Sequence, residues 1–225
     1  MSLFLFVDTE TEYVQNLTAA VIIVNTLRAV TWMTKPLYLL IGRSASGKTT
    51  IANILEEKYG YKSVSSYTTR PQRYDGEVGH IFVDEDTFDQ LGELAGFVKY
   101  NGYRYGTTMQ QVDDADIYVI DPIGAEYLLD KYVDRPICII YFDASIPTRI
   151  HRMVDRGDCD NAIIHRLLQD EEYDWQSKLE STVWKQVNLE NKCVEVFRVD
   201  ANKGQSDVLE QVLYYIRKFN GDDYE

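Results

Sequence analysis

Runs rich in apolar residues alternate with amphipathic segments through most of the chain. The runs at 37–41, 116–121, 136–142 and 194–199 have the length and composition of strands in a parallel sheet. Helical spacing of apolar residues follows at 49–59, 123–132, 145–156, 162–178 and 205–219. Strands that alternate with helices in this way predict an α/β fold with a central parallel sheet.

The segment from about 67 to 113 departs from this alternation. A short strand is predicted just before it at 63–66, and further short strands are predicted within it at 81–83, 96–100 and 103–105. Short helices are predicted at 84–94 and 107–112. Asn101-Gly102 supplies the two-residue turn of a hairpin between the last two strands. A small strand-rich lobe is therefore expected beside an α/β core made of 35–66 and 114–219.

The first 34 residues precede the first core strand and have no place in this pattern. Thr9 and Glu12 resemble a capping pair, and apolar spacing predicts a helix from there to Val30. Its apolar centre, 19–24, is too short to cross a bilayer, so no membrane association is expected. We interpret residues 1–34 as a peripheral N-terminal extension, or as a spurious one upstream of a start at Met33.

The charge balance narrows the class of partner. The chain has 36 acidic and 23 basic residues, a net charge of −13, whereas a nucleic-acid binder needs a basic face. A small nucleotide remains possible as a ligand, because a few local basic side chains can reverse the field inside a cleft. Cys138, Cys159 and Cys193 are scattered without metal-ligand spacing, which is typical of thiols in a reducing cytoplasm.

The segment 42–49 carries the strongest chemical signal. It fits the G-x-x-x-x-G-K-[ST] spacing of a P-loop and lies between a predicted strand and a predicted helix. The predicted ATP-binding residues are Gly42, Arg43, Ser44, Ala45, Ser46, Gly47, Lys48, Thr49 and Thr50. Loop amides at a helix N-terminus bind phosphate, Lys48 reaches the β- and γ-phosphates, and Thr49 offers its hydroxyl to Mg²⁺.

Two further places carry residues suited to phosphate chemistry. Arg70 and Arg73 lie three apart beside hydroxyl residues, and spacing alone supports a second anion site and a solvated loop about equally. Asp121 ends a predicted core strand, where ligands bind in open α/β sheets, and it could also cap the helix that follows.

Three arginines share one face of the helix that begins near Ser145. Arg149, Arg152 and Arg156 precede a polar break, and Arg166 follows it, an arrangement typical of a mobile lid in phosphoryl transfer. Acidic residues nearby offer the alternative of a solvated, salt-bridged helix face, which the sequence slightly favours.

Together these features resemble the guanylate kinases, within the P-loop nucleoside monophosphate kinases. The resemblance covers about 35–219 in consistent order. The segments that carry it are the P-loop, 66–73 with Gly76-Glu77, 102–107, Asp121 with Gly124, and 152–157 with Arg166. It implies an α/β fold: a three-layer P-loop NTPase with a central parallel sheet, a monophosphate-binding lobe at about 67–113 and a helical lid at about 152–166.

The resemblance also implies residue roles. Arg70, Arg73 and Tyr105 would hold the acceptor phosphate, and Ser66, Thr107 and Asp121 would contact the guanine. Lys48, Arg152 and Arg166 would neutralise the transferring phosphoryl group, with Arg156 near the adenine of ATP and its phosphates. Thr49 and water would hold Mg²⁺.

Two positions depart from the family pattern. His80 stands where the family has a Tyr, and could still donate a hydrogen bond to the acceptor phosphate. Gly96 stands where the family has a Glu that accepts hydrogen bonds from the guanine N–H edge. An unmet polar group costs about 1–3 kcal/mol, so base discrimination should be weaker here. If the acceptor is not guanine, restoring the carboxylate with Gly96→Glu should shift the preference toward GMP.

The function expected from the resemblance is ATP-dependent phosphorylation of GMP or dGMP by in-line transfer. One alternative is a kinase of other or relaxed base specificity, and another is a non-catalytic module that binds a protein or phosphopeptide. Intact Lys48 and Thr49 favour an enzyme. The expected partners are small-molecule nucleotides and not nucleic acid, and the protein is expected to be a cytoplasmic monomer or homodimer.

Overall fold

The structure is a computed structural model that describes residues 35–72, 75–77, 79–100, 102–131, 135–172 and 194–222. The N-terminal extension, Arg73 and Cys193 lie outside these ranges. The strands are β1 (Leu37–Gly42), β2 (Ser66–Thr68), β3 (His80–Phe82), β4 (Leu94–Tyr100), β5 (Tyr103–Thr108), β6 (Ile117–Val119), β7 (Ile137–Asp143) and β8 (Val194–Asp200). The helices are α1 (Lys48–Tyr59), α2 (Glu85–Asp89), α3 (Met109–Asp114), α4 (Pro122–Lys131), α5 (Ile146–Asp155), α6 (Asp160–Glu172) and α7 (Gln205–Asn220).

A four-stranded parallel sheet forms the centre, in the order β6-β1-β7-β8. Every residue of β1 is buried, as expected of a strand covered on both faces. Leu37, Leu39 and Ile41 pack with α3 and α4 on one face. Tyr38 and Leu40 pack with α1 and α7 on the other. The predicted three-layer α/β fold class is therefore confirmed.

A second sheet lies in the segment predicted to be strand-rich, in the order β3-β2-β5-β4. Strands β4 and β5 form the predicted antiparallel hairpin, and β2 pairs antiparallel with β5 and parallel with β3. Helix α2 packs closely on this hairpin at Gly106, where a Cβ atom would lie 2.7 Å from the Phe88 ring. Only glycine fits there, and the close contact sets the position of α2 against the sheet.

Several predicted boundaries are wrong, and the cap of α3 explains one of them. The strand expected at 63–66 is a single bridge from Ser63 to Ile117, and the paired strand begins at Ser66. The helix expected at 84–94 ends at Asp89. Thr107 and Thr108 end β5 and do not open a helix, because Thr108 caps α3 through a capping box with Gln111.

A buried arginine binds backbone carbonyl oxygens at the start of the central strand β1. Arg135 donates hydrogen bonds to the carbonyl oxygens of Lys35 at 2.6 Å, Pro36 at 2.5 Å and Val112 at 3.0 Å. These bonds give the buried guanidinium of Arg135 the hydrogen-bond partners that buried polar groups require. The start of β1 is thus tied to the end of α3. Among the described helices, none is long and apolar enough to span a membrane.

Candidate active site

The loop between β1 and α1 has the backbone geometry of an anion cradle. A Cβ atom at Gly42 would lie 2.8 Å from both the Phe142 carbonyl oxygen and the Ser46 hydroxyl. Gly47 has a φ of 100°, in the left-handed region that glycine tolerates. Among the described residues, no side chain caps the first turn of α1, so its amides face the loop without a side-chain acceptor from this part of the chain.

Lys48 spans the mouth of this loop. Its ammonium group donates to the carbonyl oxygens of Gly42 at 2.6 Å and Arg43 at 3.0 Å, and to the Ser46 hydroxyl at 3.3 Å. Burial lowers the pKa of Lys48 to about 8, although the negative charge of Asp170 opposes this shift. A cation held this way, with its charge only partly compensated, gains from the arrival of an anion.

Two cavities meet at Lys48. The first, which we call the lobe cavity, has a volume of about 350 Å³ and lies between the carboxyl ends of β1 and β6 and the hairpin β4–β5. The second, which we call the outer cavity, has a volume of about 770 Å³ and lies between the P-loop, α5 and the turn from β8 to α7. Lys48 lines both of them.

The lobe cavity gathers several of the predicted acceptor residues. Ser66, His80, Tyr105 and Asp121 line it. The Ser66 hydroxyl and His80 Nδ1 lie 2.9 Å apart, and the His80 ring meets the Tyr105 ring edge-on at 5.7 Å. Strands β2, β3 and β5 therefore bring together residues that lie up to 39 positions apart in the sequence.

Arg70 lies beside this cavity in a salt bridge that the sequence did not indicate. It is 8% exposed, and its guanidinium donates to both Glu77 carboxylate oxygens, at 2.8 and 3.2 Å. It also lies over the Phe82 ring at 5.3 Å and interacts with Tyr105. Arg73, its predicted partner in holding phosphate, lies outside the described residues.

Asp121 has the capping role that was one of its two expected readings. Its Oδ1 accepts from the backbone N–H of Ile123 at 2.9 Å and of Gly124 at 3.0 Å, at the start of α4. It also lines the lobe cavity, at the end of the β6 segment. Thr107 lies one layer behind the cavity wall, fully buried, with its hydroxyl 2.5 Å from that of Tyr118.

Two of the arginines predicted to belong to a lid line the outer cavity. Arg152 donates to the carbonyl oxygens of Ser46 at 2.9 Å and Ala201 at 2.7 Å, so it clamps the outside of the P-loop. Burial lowers the pKa of Arg152. Arg156 lines the same cavity and is paired with Asp158. Thr49 and Thr50 are exposed on its floor.

Arg166 reaches the other cavity. It lines the lobe cavity from α6, and its Nε lies 3.7 Å from the Asp158 carboxylate. The two arginines predicted to act on the phosphoryl group, Arg152 and Arg166, thus line different cavities, and Lys48 lines both. This places positive charge around the junction of the two cavities.

Arg149 corrects the expectation of a solvated arginine face. It is fully buried and forms an ion pair with Asp170 of α6. Asp170 also accepts hydrogen bonds from the Ser44 backbone N–H at 3.2 Å and from its hydroxyl at 3.4 Å. The pair therefore connects α5 and α6 to the P-loop. The sequence indicated nothing of Asp170, because its partners lie 21 and 126 residues away.

A metal ion in the outer cavity would be coordinated mainly by phosphate oxygens and water. The described residues gather no group of three His, Cys, Asp or Glu side chains that could hold a metal ion. The Thr49 hydroxyl opens to the outer cavity at the first turn of α1, where it can join phosphate oxygens and water around Mg²⁺. The residues present fit such an ion.

Fold and site together define an α/β protein with a P-loop between two cavities. Neither a protein-family model nor a curated protein matches the chain. Among solved structures, it is similar to the crystal structure of a guanylate kinase from Anaplasma phagocytophilum, with 18% sequence identity and a TM-score of 0.47. That similarity covers 82% of this chain and 86% of the other.

Proposed function

We propose that the protein transfers the γ-phosphoryl group of ATP to a nucleoside monophosphate. ATP would lie in the outer cavity with its phosphates on the P-loop, and the acceptor would lie in the lobe cavity. The observation that carries this proposal is that Lys48 lines both cavities. A cation at their junction can contact the phosphoryl group on both sides of an in-line transfer.

Positive charge and positioning would supply most of the catalysis, because phosphoryl transfer asks for little covalent chemistry from the protein. Lys48, Arg152 and Arg166 would neutralise the phosphoryl group as it moves. Arg152 now binds carbonyl oxygens, and the stronger attraction of a phosphate would draw it inward. Mg²⁺ held by Thr49, the ATP phosphates and water would supply further positive charge.

The acceptor expected from the family resemblance is GMP or dGMP. Arg70, Arg73 and Tyr105 would hold its phosphate, with His80 close by. Arg70 is engaged by Glu77, which keeps its guanidinium oriented beside Tyr105 until phosphate arrives. Ser66 and Asp121, with Thr107 behind them, would face the base.

The test is a coupled ADP-release assay across all ribo- and deoxyribonucleoside monophosphates. Turnover of at least one monophosphate is expected, and Lys48→Ala should remove it. Lys58→Ala is the matched control, because Lys58 is an exposed lysine in the last turn of the same helix and should leave turnover unchanged. A folded protein that binds ATP but turns over no monophosphate would overturn the proposal.

A further inference from the structure

The inner wall of the lobe cavity has an unusual composition at Gly96. Gly96 and Tyr118 both line the cavity, from β4 and β6. A Cβ atom on Gly96 would lie 3.1 Å from the Tyr118 hydroxyl oxygen and 3.7 Å from the nearest ring carbon. The Tyr118 hydroxyl therefore lies in close contact with the position that a Cβ atom on residue 96 would occupy.

The Tyr118 hydroxyl belongs to a buried pair. It lies 2.5 Å from the Thr107 hydroxyl, and Thr107 is fully buried behind it. One hydrogen of the pair is used between the two oxygens, which leaves one hydroxyl hydrogen and the remaining lone pairs. Burial raises the pKa of Tyr118 to about 12, so this hydroxyl is neutral at physiological pH.

The neighbouring polar groups on this wall already hold protein partners. The Ser66 hydroxyl is engaged with the His80 ring at 2.9 Å. The Asp121 carboxylate holds the first turn of α4 through Oδ1. A base edge with two adjacent N–H donors, such as N1–H and the 2-amino group of guanine, is best matched by a carboxylate at one point. Here that point is occupied by a neutral phenol.

We propose that Tyr118 determines base specificity in the lobe cavity: it presents a neutral hydroxyl beside Gly96, so the cavity does not recognise the purine 2-amino group. This inference rests on the proposed function, since it concerns the acceptor of that reaction. GMP and IMP differ only in the 2-amino group. The protein therefore binds the two with nearly equal affinity.

The same geometry changes the expectation for Gly96→Glu. A carboxylate added there alone meets the Tyr118 hydroxyl, so that variant gains no preference for GMP. The double variant Gly96→Glu/Tyr118→Phe removes the closest contact and leaves the ring in place. It should prefer GMP over IMP by about tenfold or more, because a carboxylate then meets both N–H donors.

The experiment is calorimetric titration of the wild-type protein and these variants with GMP and IMP. The wild-type dissociation constants should differ by less than about threefold. A wild-type preference for GMP of threefold or more would overturn the inference, and this measurement needs no variant to fold. Tyr118→Phe should raise the dissociation constants of both GMP and IMP about fivefold, because one hydrogen bond to the base is lost. The affinity for ATP should stay unchanged. Unchanged constants in Tyr118→Phe would also contradict it.

The two proposals fail in different ways. If neither monophosphate binds and none is phosphorylated, the proposed function falls and this inference with it. If monophosphates bind or are phosphorylated but GMP is preferred threefold or more, only the assignment of Tyr118 falls. ATP titrations of each variant confirm that the P-loop remains intact.

Discussion

The buried pair of Arg149 and Asp170 gives an asymmetric prediction about stability. Arg149 is fully buried, and two of its nitrogens, Nε and Nη2, have no hydrogen-bond partner among the described residues. Asp170 keeps two hydrogen bonds from Ser44 and lies within the electrostatic reach of Lys48. Removing the Asp170 carboxylate therefore leaves the buried Arg149 cation with few other partners. Removing the guanidinium leaves a carboxylate that still accepts two hydrogen bonds.

This difference sets the loss of unfolding free energy expected for each variant. Asp170→Asn keeps the shape but leaves a fully buried cation without its anion, which costs about 3–5 kcal/mol of unfolding free energy. Arg149→Met keeps the volume and leaves a carboxylate that is still hydrogen-bonded, which costs about 1–3 kcal/mol. The double variant Arg149→Met/Asp170→Asn contains neither buried charge, so it should be more stable than Asp170→Asn alone.

Urea unfolding of the four proteins measures these values. With a denaturant slope near 2 kcal/mol per molar, Asp170→Asn should lower the midpoint by about 1.5–2.5 M. Arg198→Met is the matched control, because its pair with Asp143 is exposed on both sides and should cost no more than about 1 kcal/mol. If Arg149→Met is the costlier single change, or the double variant is no more stable than Asp170→Asn, the reasoning is refuted.

Three further predictions concern the P-loop and the buried cations. Lys48→Ala should abolish phosphoryl transfer while calorimetry shows monophosphate binding largely intact, and surviving transfer would contradict the role given to the loop. Because the free protein loses the Lys48 charge as pH rises through about 8, ATP affinity should fall about tenfold per pH unit above that value, and a flat profile from pH 7 to 9.5 would count against it. Arg135→Leu should lower the urea-unfolding free energy by about 2–4 kcal/mol, since it removes the hydrogen bonds that tie Lys35 and Pro36 to Val112, and a loss below 1 kcal/mol would contradict a structural role for these bonds.

The parts of the fold that follow local rules could be predicted from the sequence. The strands of the central sheet and the helix after the P-loop are long, periodic segments, and the motif at 42–49 is read from contiguous residues. The boundary around 107–112 could not, because Thr108 fits a strand and a helix cap equally well. Its hydrogen bond to Gln111 decides between them.

The residues of the candidate site could be predicted only where the motif lies within one helix, strand or loop. Arg149, Arg152 and Arg156 share a helix face, and that spacing is the same for a solvated face and for a buried one. Whether Arg149 is buried depends on Asp170, which another helix supplies. Tyr118 was missed for a similar reason, since its strand predicts a core residue and its polar contact comes from Thr107.

The contacts that hold the P-loop also bear on the order in which the protein folds. Ala45 has a φ of 60°, a left-handed conformation that costs a non-glycine residue about 1–2 kcal/mol. The groups that surround it come from far along the chain: Asp170 binds Ser44 across 126 residues, and Arg152 binds Ser46 across 106. Contacts of such separation form late, because the entropy of closing the loop must be met first. A growing chain that ends before α5 carries the whole motif but lacks these contacts, so the P-loop reaches its final conformation only after α5 and α6 have been made.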